Sequence, residues 1–312
     1  MNFLYLIPSP NKYYPIRDEE FIVKELLNEN QSVIVINKFF KIKILYYILV
    51  HKPNAIIFSS LNIGKKINIF IKFIVGFLNT PIYWWYFDSA NADSKRKKLV
   101  KKISKKVTLF LNRDKINFAD YKNNNIKSIW FDQGVPNILK YESSNENYDF
   151  DLGFFGSLSS VHKSRAQFLK KIDSKYNLAI YTKDKNEFKK LGFKNVKNYV
   201  FKNKISSLVS KIKIVLVLNS SCSAPYYWSD RIHIMIGSGA FCLTEKITGI
   251  EKTYESNKHH ILFDNNNDFF HLVDYWLKQN DKREKIRFDG FKYAHKFHSY
   301  NSRVKEFLKI IQ

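Results

Sequence analysis

The feature that most constrains this chain is an alternation that runs through it twice, in which short apolar runs of strand length trade places with longer segments of helical periodicity. In the first half the strand-like runs are "NFLYLI", "SVIVINK", "AIIFSS", "PIYWWYF", "VTLFLN" and "KSIWFDQ". Between them lie "RDEEFIVKELLNEN", with acids in its first turn and Phe21, Ile22, Leu26 and Leu27 at helical spacing, then "FKIKILYYILVHK", "GKKINIFIKFIVGFLN" and "ADSKRKKLVKKISKK". Strands that alternate with helices imply a parallel sheet covered on both faces. The polar, irregular "PNILKYESSNENYDF" then reads as a linker, and the alternation restarts at "DLGFFGS" and runs through "NLAIYTK", "VKNYV", "IKIVLVLNS", "AFCLTE" and "HHILFD" to two closing helices. The expected architecture is α/β: two Rossmann-like, doubly wound domains, 1–140 and 141–298, facing a cleft, with a C-terminal helix, 299–312, returning to the first. Ligands of such sheets sit outside the carboxyl ends of the strands, and in a tandem pair they sit between the domains.

With 312 residues, 45% of them hydrophobic and 16% aromatic, the chain can bury two sizeable cores and is not a disordered polymer. Lys and Arg number 52 against 28 Asp and Glu, a formal net charge of +24, which favours polyanionic surroundings such as nucleic acid, an anionic membrane face or phosphate-bearing ligands. Richness in Lys, Asn and Ile points to an AT-rich genome and accounts for part of the lysine excess, not for the shortage of acids. Cys222 and Cys242 form no disulfide framework and suit a reducing compartment. No Cys/His spacing suggests a metal site, and none is expected. "MNFLYLIPSP" lacks the basic region and cleavage site of a signal peptide. The longest apolar stretch, Ile67 to Leu78, is broken by Lys72 and too short to span a bilayer. The expected setting is cytoplasmic, with peripheral attachment to the inner membrane face or to DNA.

Two stretches of the second half start helices after strands and pair free backbone N–H groups with arginine. In "SDRIHIMIGSGAF", Ser229 reads as an N-cap, Asp230 suits the first turn, and Arg231 does not suit the helix dipole. A bound anion would give that cation a reason, because a helix N-terminus already attracts negative charge and a guanidinium fork completes the site; the plainer reading pairs Arg231 with Asp230 or a neighbour. Gly237, Ser238 and Gly239 fit a helix stop turning into a strand. In "GFFGSLSSVHKSR", Gly156 and Ser157 let a backbone approach a ligand, Ser159 or Ser160 can cap the next helix, and Lys163 and Arg165 lie in its first turns. An ordinary βα turn explains the same residues.

Read as an ordered set, the second half resembles the spore-maturation-type group of GT-B glycosyltransferases, with their donor domain of the "glycosyl transferases group 1" kind. The resemblance rests on the Arg-led helix running into Gly-Ser-Gly, on "GIE" followed by an aromatic, on "HHILFD", and on "KFHSYNSRV"; "YWWYFDS" and "SIWFDQGV" carry it into the first half. It is strongest over 150–310. It implies an enzyme that takes a sugar from a nucleotide-sugar, such as a UDP- or GDP-sugar co-substrate, with the donor in the C-terminal domain, the acceptor in the N-terminal one, no other cofactor and no metal. Arg231 and the helix it starts would hold the donor diphosphate, whose charge grows as the glycosidic bond breaks. Lys163 or Arg165 would add a second clamp, and Gly237 to Gly239 would turn the chain beneath the ligand. Many related enzymes carry a glutamate for the ribose hydroxyls three residues after the arginine; here that position is Ile234, with His233 beside it, so either the ribose is held from elsewhere, by Glu251, near Gly249, or by a backbone group, or the donor nucleotide is bound differently. His233 also reads as a satisfied structural histidine.

On the acceptor side, Asp88 at the end of "YWWYF" is a candidate base, or, with Ser89, a helix cap. Asp132 in "FDQG" is a second candidate, and Tyr14 and Arg17 follow the first strand in the loop expected to face the cleft. His51, His259 and His260 read as structural or surface groups. "KRKKLVKKISKK" carries Lys95, Arg96, Lys97, Lys98, Lys101, Lys102, Lys105 and Lys106 around a narrow apolar stripe of Leu99, Val100, Ile103 and Val107, so this helix would dock on the sheet and show a one-signed face to a polyanion. DNA bearing a hydroxylated base and a membrane-borne envelope glycan or glycolipid both fit as acceptor. The oligomeric state is not legible. A non-catalytic two-domain protein that binds nucleotides or nucleic acid is the other reading: the missing ribose glutamate favours it, and the intact Arg-helix-Gly set opposes it.

Overall fold

The computed structural model describes residues 1–9, 17–37, 41–113, 115–144, 146–158, 163–200, 202–219 and 225–312, with the side chains at 41–43, 92, 163 and 164 also outside the description. Tyr14, Ser159, Ser160, Cys222 and the side chain of Lys163 therefore lie outside the described residues. The chain divides into two compact units: residues 1–133 with 224–227 and 303–312, and residues 134–223 with 228–302.

The first unit runs β1 (Asn2–Leu6), α1 (Asp18–Asn28), β2 (Ser32–Ile36), α2 (Lys41–His51), β3 (Ala55–Phe58), α3 (Leu61–Ile67), α4 (Ile71–Gly76), β4 (Ile82–Tyr86), α5 (Ser94–Ser104), β5 (Leu109–Asn112), α6 (Phe118–Asn123) and β6 (Ser128–Trp130). Its sheet is parallel throughout, in the order β2-β1-β3-β4-β5-β6. The residues of β3 and β4 are all buried, as a strand covered on both faces must be. Ile82, Trp84 and Tyr86 join one core with Ile44, Ile63, Ile71, Val100 and Ile103, so α2 to α5 share one face of the sheet. Tyr83 and Trp85 point the other way, against Phe307. "GKKINIFIKFIVGFLN", one helix by its periodicity, is two: the chain turns at Asn68 to Phe70, where the Phe70 N–H donates to the Ile67 carbonyl at 2.8 Å.

The second unit runs β7 (Phe150–Phe155), α7 (Lys163–Lys175), β8 (Leu178–Thr182), α8 (Lys185–Lys190), β9 (Asn195–Asn198), α9 (Ile205–Val209), β10 (Ile212–Val217), α10 (Arg231–Gly237), β11 (Cys242–Glu245), β12 (Ile261–Phe263), α11 (Asn266–Leu277) and α12 (Asn280–Phe297); α13 (Tyr300–Ile311) closes the chain and its residues from Arg303 on belong to the first unit. The sheet is again parallel, ordered β12-β11-β10-β7-β8-β9, and its strand order reverses between β7 and β10. At that switch point the connecting segments diverge to opposite faces and leave a crevice at the carboxyl ends. The polar stretch after Pro136 is not a loose linker. The hydroxyls of Tyr141, Ser144 and Tyr148 donate to the Glu284 carboxylate on α12 at 3.2, 3.1 and 2.8 Å. Gly134 and Val135 are pinned as well: the Val135 N–H donates to the His298 carbonyl at 2.7 Å, and a Cβ at Gly134 would lie 2.7 Å from the Tyr300 nitrogen. The "QGV" and "FHSYNSR" motifs are thus two sides of one packing contact.

The tandem histidines are interior groups. His260 is fully buried, with Nε2 against the Tyr254 carbonyl and Nδ1 against the Thr244 hydroxyl, both at 3.1 Å. A carbonyl only accepts, so Nε2 carries the proton and the ring is neutral. Burial lowers His260 from 6.5 to about 4, with the Tyr254 carbonyl opposing the shift. The unfolded chain then binds a proton that the folded chain refuses, so stability is full above about pH 6.5 and is lost as the pH falls towards about 4. The chemical-denaturation midpoint should fall by the equivalent of roughly 2 kcal/mol between about pH 7 and about pH 5; a flat profile there would mean that the ring is not held neutral.

Candidate functional site

The switch point of the second sheet gathers two arginines on one phenyl ring. Beyond β7 the chain reaches Gly156, where a Cβ would collide with the Phe154 ring, 2.5 Å from its Cζ, and would crowd Arg231 Nη2 at 3.2 Å, so glycine leaves the ring in place beneath the guanidinium. Arg165 comes from the first turn of α7 and is almost wholly buried. Its Nη1 donates to the Ser157 carbonyl at 3.1 Å and its Nη2 to the Asn219 carbonyl at 2.7 Å. Arg231, the first residue of α10, turns back across the end of β10 and donates from Nη1 to the Leu218 carbonyl at 2.9 Å. The two guanidinium carbons sit 5.5 and 5.6 Å from the centre of the Phe154 ring. Burial and the neighbouring Arg231 lower Arg165 to about 9, with Glu245 pulling the other way, so it keeps its charge at neutral pH. Two like charges held this close favour an anion that can take hydrogen bonds from both.

Asn219 and Glu245 organise the surroundings. The Asn219 backbone N–H donates to Glu245 Oε2 and its side-chain amide to the Glu245 carbonyl, both at 2.8 Å, while Asn219 Oδ1 accepts from the Ser229 N–H at 3.1 Å. Neither residue, nor Phe154, stood out in the sequence. The signal was present: each of the two polar groups closes an apolar strand run, "VLVLN" and "FCLTE", and so stands at the ligand-bearing edge.

Several expectations for this region change. The helix begins at Arg231, directly after Asp230, and the Ser229 hydroxyl caps its start as expected, accepting from the Arg231 N–H at 3.3 Å. With only 7 residues in α10, the guanidiniums rather than the helix dipole carry the positive charge. His233 is fully buried, bonded through Nδ1 to the Tyr254 hydroxyl at 2.9 Å, and belongs to the packing beneath the helix. Gly237 is set by close packing, since a Cβ there would meet Val135 at 2.4 Å, and the buried Ser238 donates its hydroxyl to the Ile234 carbonyl. Gly239, at φ +76°, makes the left-handed helix stop. Gly249, at φ +98°, starts a short turn in which its N–H donates to the exposed Glu251 carboxylate at 3.0 Å.

In the first unit, Asp88 is exposed after β4 and lines a cavity of about 380 Å³ with Ser60, Asn62, Lys65, Lys95 and Arg96. Ser89 caps the short turn that follows by accepting from the Asn91 N–H, and Asp93 caps α5 by accepting from the Arg96 N–H. Asp132 is buried, accepting from Arg113 Nε at 2.9 Å and from the Gln133 N–H at 2.8 Å. A carboxylate locked into a buried ion pair is poorly suited to accept a substrate proton. Arg17 lies against Glu19 at 3.4 Å, a carboxylate that burial raises and Arg17 pulls back. The lysine helix does not present one continuous free face. Lys101 reaches Asp120 on α6 at 2.8 Å and Lys106 reaches Asn68 at 2.7 Å, while Lys97, Lys98, Lys102 and Lys105 are exposed. Among the described residues no group of three or more His, Cys, Asp or Glu gathers as a metal site.

A protein family described as "Glycosyl transferase-like" matches residues 164–309. No curated protein sequence matches the chain. Among solved structures, Anabaena HepE in complex with UDP and glucose is similar at a TM-score of 0.70 and 12% identity, over 100% of this chain and 99% of that one. Sucrose-phosphate synthase from Thermosynechococcus elongatus is similar at 0.72 and 9%, over 100% and 98%. A mutant of T4 phage BGT in complex with UDP-glucose is similar at 0.62 and 13%, over 99% of each chain. The chain therefore has the fold of the GT-B glycosyltransferases, and its residues 164–309 match the glycosyl transferase-like family.

Proposed function

We propose that the protein transfers a sugar from a UDP-sugar to a hydroxyl acceptor, with Arg165 and Arg231 holding the donor diphosphate. The observation that carries this reading is the pair of guanidiniums on the Phe154 ring at the switch point of the second sheet. UDP is favoured over GDP because similar structures contain UDP or UDP-glucose. When the bond between the sugar and the diphosphate breaks, negative charge grows on the leaving UDP, and cations fixed beforehand stabilise that charge without reorganising. In this role they do the work that a divalent metal does elsewhere, so a chelator should leave turnover intact. Gly156 and Ser157 bring the backbone close to the phosphates, and Glu251 takes the ribose hydroxyls in place of the glutamate absent at Ile234.

On the acceptor side Asp88 is the base. It accepts the proton of the attacking hydroxyl as the new bond to the anomeric carbon forms and the bond to UDP breaks. The +24 charge supports an acceptor on a polyanionic surface.

Replacing Arg231 with Ala should abolish transfer and weaken UDP binding by about 1.5–3 kcal/mol in calorimetry, the worth of a charged hydrogen bond; unchanged affinity removes Arg231 from the site. The two aspartates separate by a different pair of readouts. Asp88→Asn should keep the wild-type melting temperature and UDP affinity while losing most turnover. Asp132→Asn should lower stability by about 3–5 kcal/mol, because it leaves Arg113 buried without its charge partner. Normal turnover in the Asp88 variant would return the search for a base to the other carboxylates of the first unit.

A further inference from the structure

The layer formed by α2 to α5 carries an exposed apolar surface beside its cations. α4 is apolar on both faces: Ile71 and Ile74 are buried in the core, yet Phe73 and Phe77 are 44% and 75% exposed, stacked on each other at 5.1 Å and 14°. Ile69, just before the helix, is 71% exposed. In the same layer α2 exposes Tyr46, Leu49 and Val50. Large apolar side chains gathered on the exposed side of a helix mark a surface suited to a second apolar partner. α4 has a single core side, so its outer side is free for another apolar phase.

The cations adjoin this surface. Lys106 donates to the Asn68 side chain at 2.7 Å and to its carbonyl at 3.1 Å, which sets the end of α5 against the turn that leads to Ile69 and Phe73. Burial, and then the neighbouring Lys102 and Lys72, hold the Lys106 ammonium below its usual range, as expected where cations crowd. Lys72 lies within α4 itself, between the buried Ile71 and the exposed Phe73. Apolar side chains flanked by long basic ones match the boundary of an anionic bilayer, where rings enter the acyl region and ammonium groups meet headgroup phosphates. A duplex backbone offers nothing for stacked, solvent-facing phenylalanines to enter.

We propose that the α4 surface, with Ile69, Phe73 and Phe77 flanked by Lys72, Lys102 and Lys106, docks the protein on an anionic lipid membrane. Together with the proposed function, whose polyanionic surface this would specify as lipid, it makes the acceptor membrane-borne; the binding itself does not depend on that function. No helix among the described residues is long and apolar enough to cross a membrane, so the contact would be an interfacial one.

Co-sedimentation with vesicles of phosphatidylcholine alone, and with phosphatidylglycerol added, tests the proposal, with UDP calorimetry and thermal melting run on the same preparations. Wild-type protein should bind the anionic vesicles and leave the neutral ones. Phe73→Ser combined with Phe77→Ser should weaken that binding at least about tenfold, the equivalent of about 1.4 kcal/mol, with melting and UDP affinity unchanged. Because UDP affinity is read in the same experiment, loss of vesicle binding and failure of the donor-site reading are separate results. Three outcomes would overturn the docking surface. The double variant could bind as wild type does, leaving only charge attraction. Duplex DNA could bind more tightly than vesicles, with the phenylalanines irrelevant. The wild type could form a dimer that the variant does not, making the patch a self-interface.

Discussion

Arg165 and Arg231 repel each other, and the second unit is built so that they cannot move apart. Each guanidinium is tied to a main-chain carbonyl at the end of the central strands, at Ser157, Leu218 and Asn219, and both lie over the ring of Phe154. The arrangement needs glycine at 156, because a side chain there would collide with the Phe154 ring on which the guanidiniums lie. It also needs the strand order to reverse between β7 and β10, because only there do helices leaving adjacent strands open a crevice between them. An anion that accepts hydrogen bonds from both guanidiniums would offset that repulsion, which is the physical basis of the proposed diphosphate site.

The first unit applies the same rule of strand ends with another outcome. Polar groups that close β4, β5 and β6 arrive at one edge: Asp88 faces an open cavity, whereas Arg113 and Asp132 neutralise one another inside the protein. Two aspartates that look equivalent in sequence, each following an aromatic residue, therefore differ in solvation: Asp88 is exposed and Asp132 is buried.

The doubly wound order was legible because buried parallel strands must be apolar on both faces, and "AIIF" and "IYWWY" can be little else. Arg231 was legible because a cation opening a helix opposes the dipole. Hidden from the sequence was what tertiary neighbours decide. The break between α3 and α4 has no Pro or Gly at the turn, and the helical period runs through it. His233 and Ser238 share the motif with Arg231, but one turn of rotation sends them into the core. The lysine helix reads as a single charged face, and only α6 and the Asn68 turn reveal which of its lysines are tied down. The exposure of the α4 rings was not legible, since an apolar run does not say how many of its faces another element will cover.

The most direct test of the central claim compares the affinities of UDP and uridine for the wild-type protein by calorimetry at one ionic strength. If the arginine pair is the diphosphate site, UDP should bind at least about a hundredfold more tightly than uridine, the equivalent of about 2.7 kcal/mol. Uridine binding within about threefold of UDP, less than about 1 kcal/mol apart, would show that the two guanidiniums do not hold the phosphates and would contradict the account.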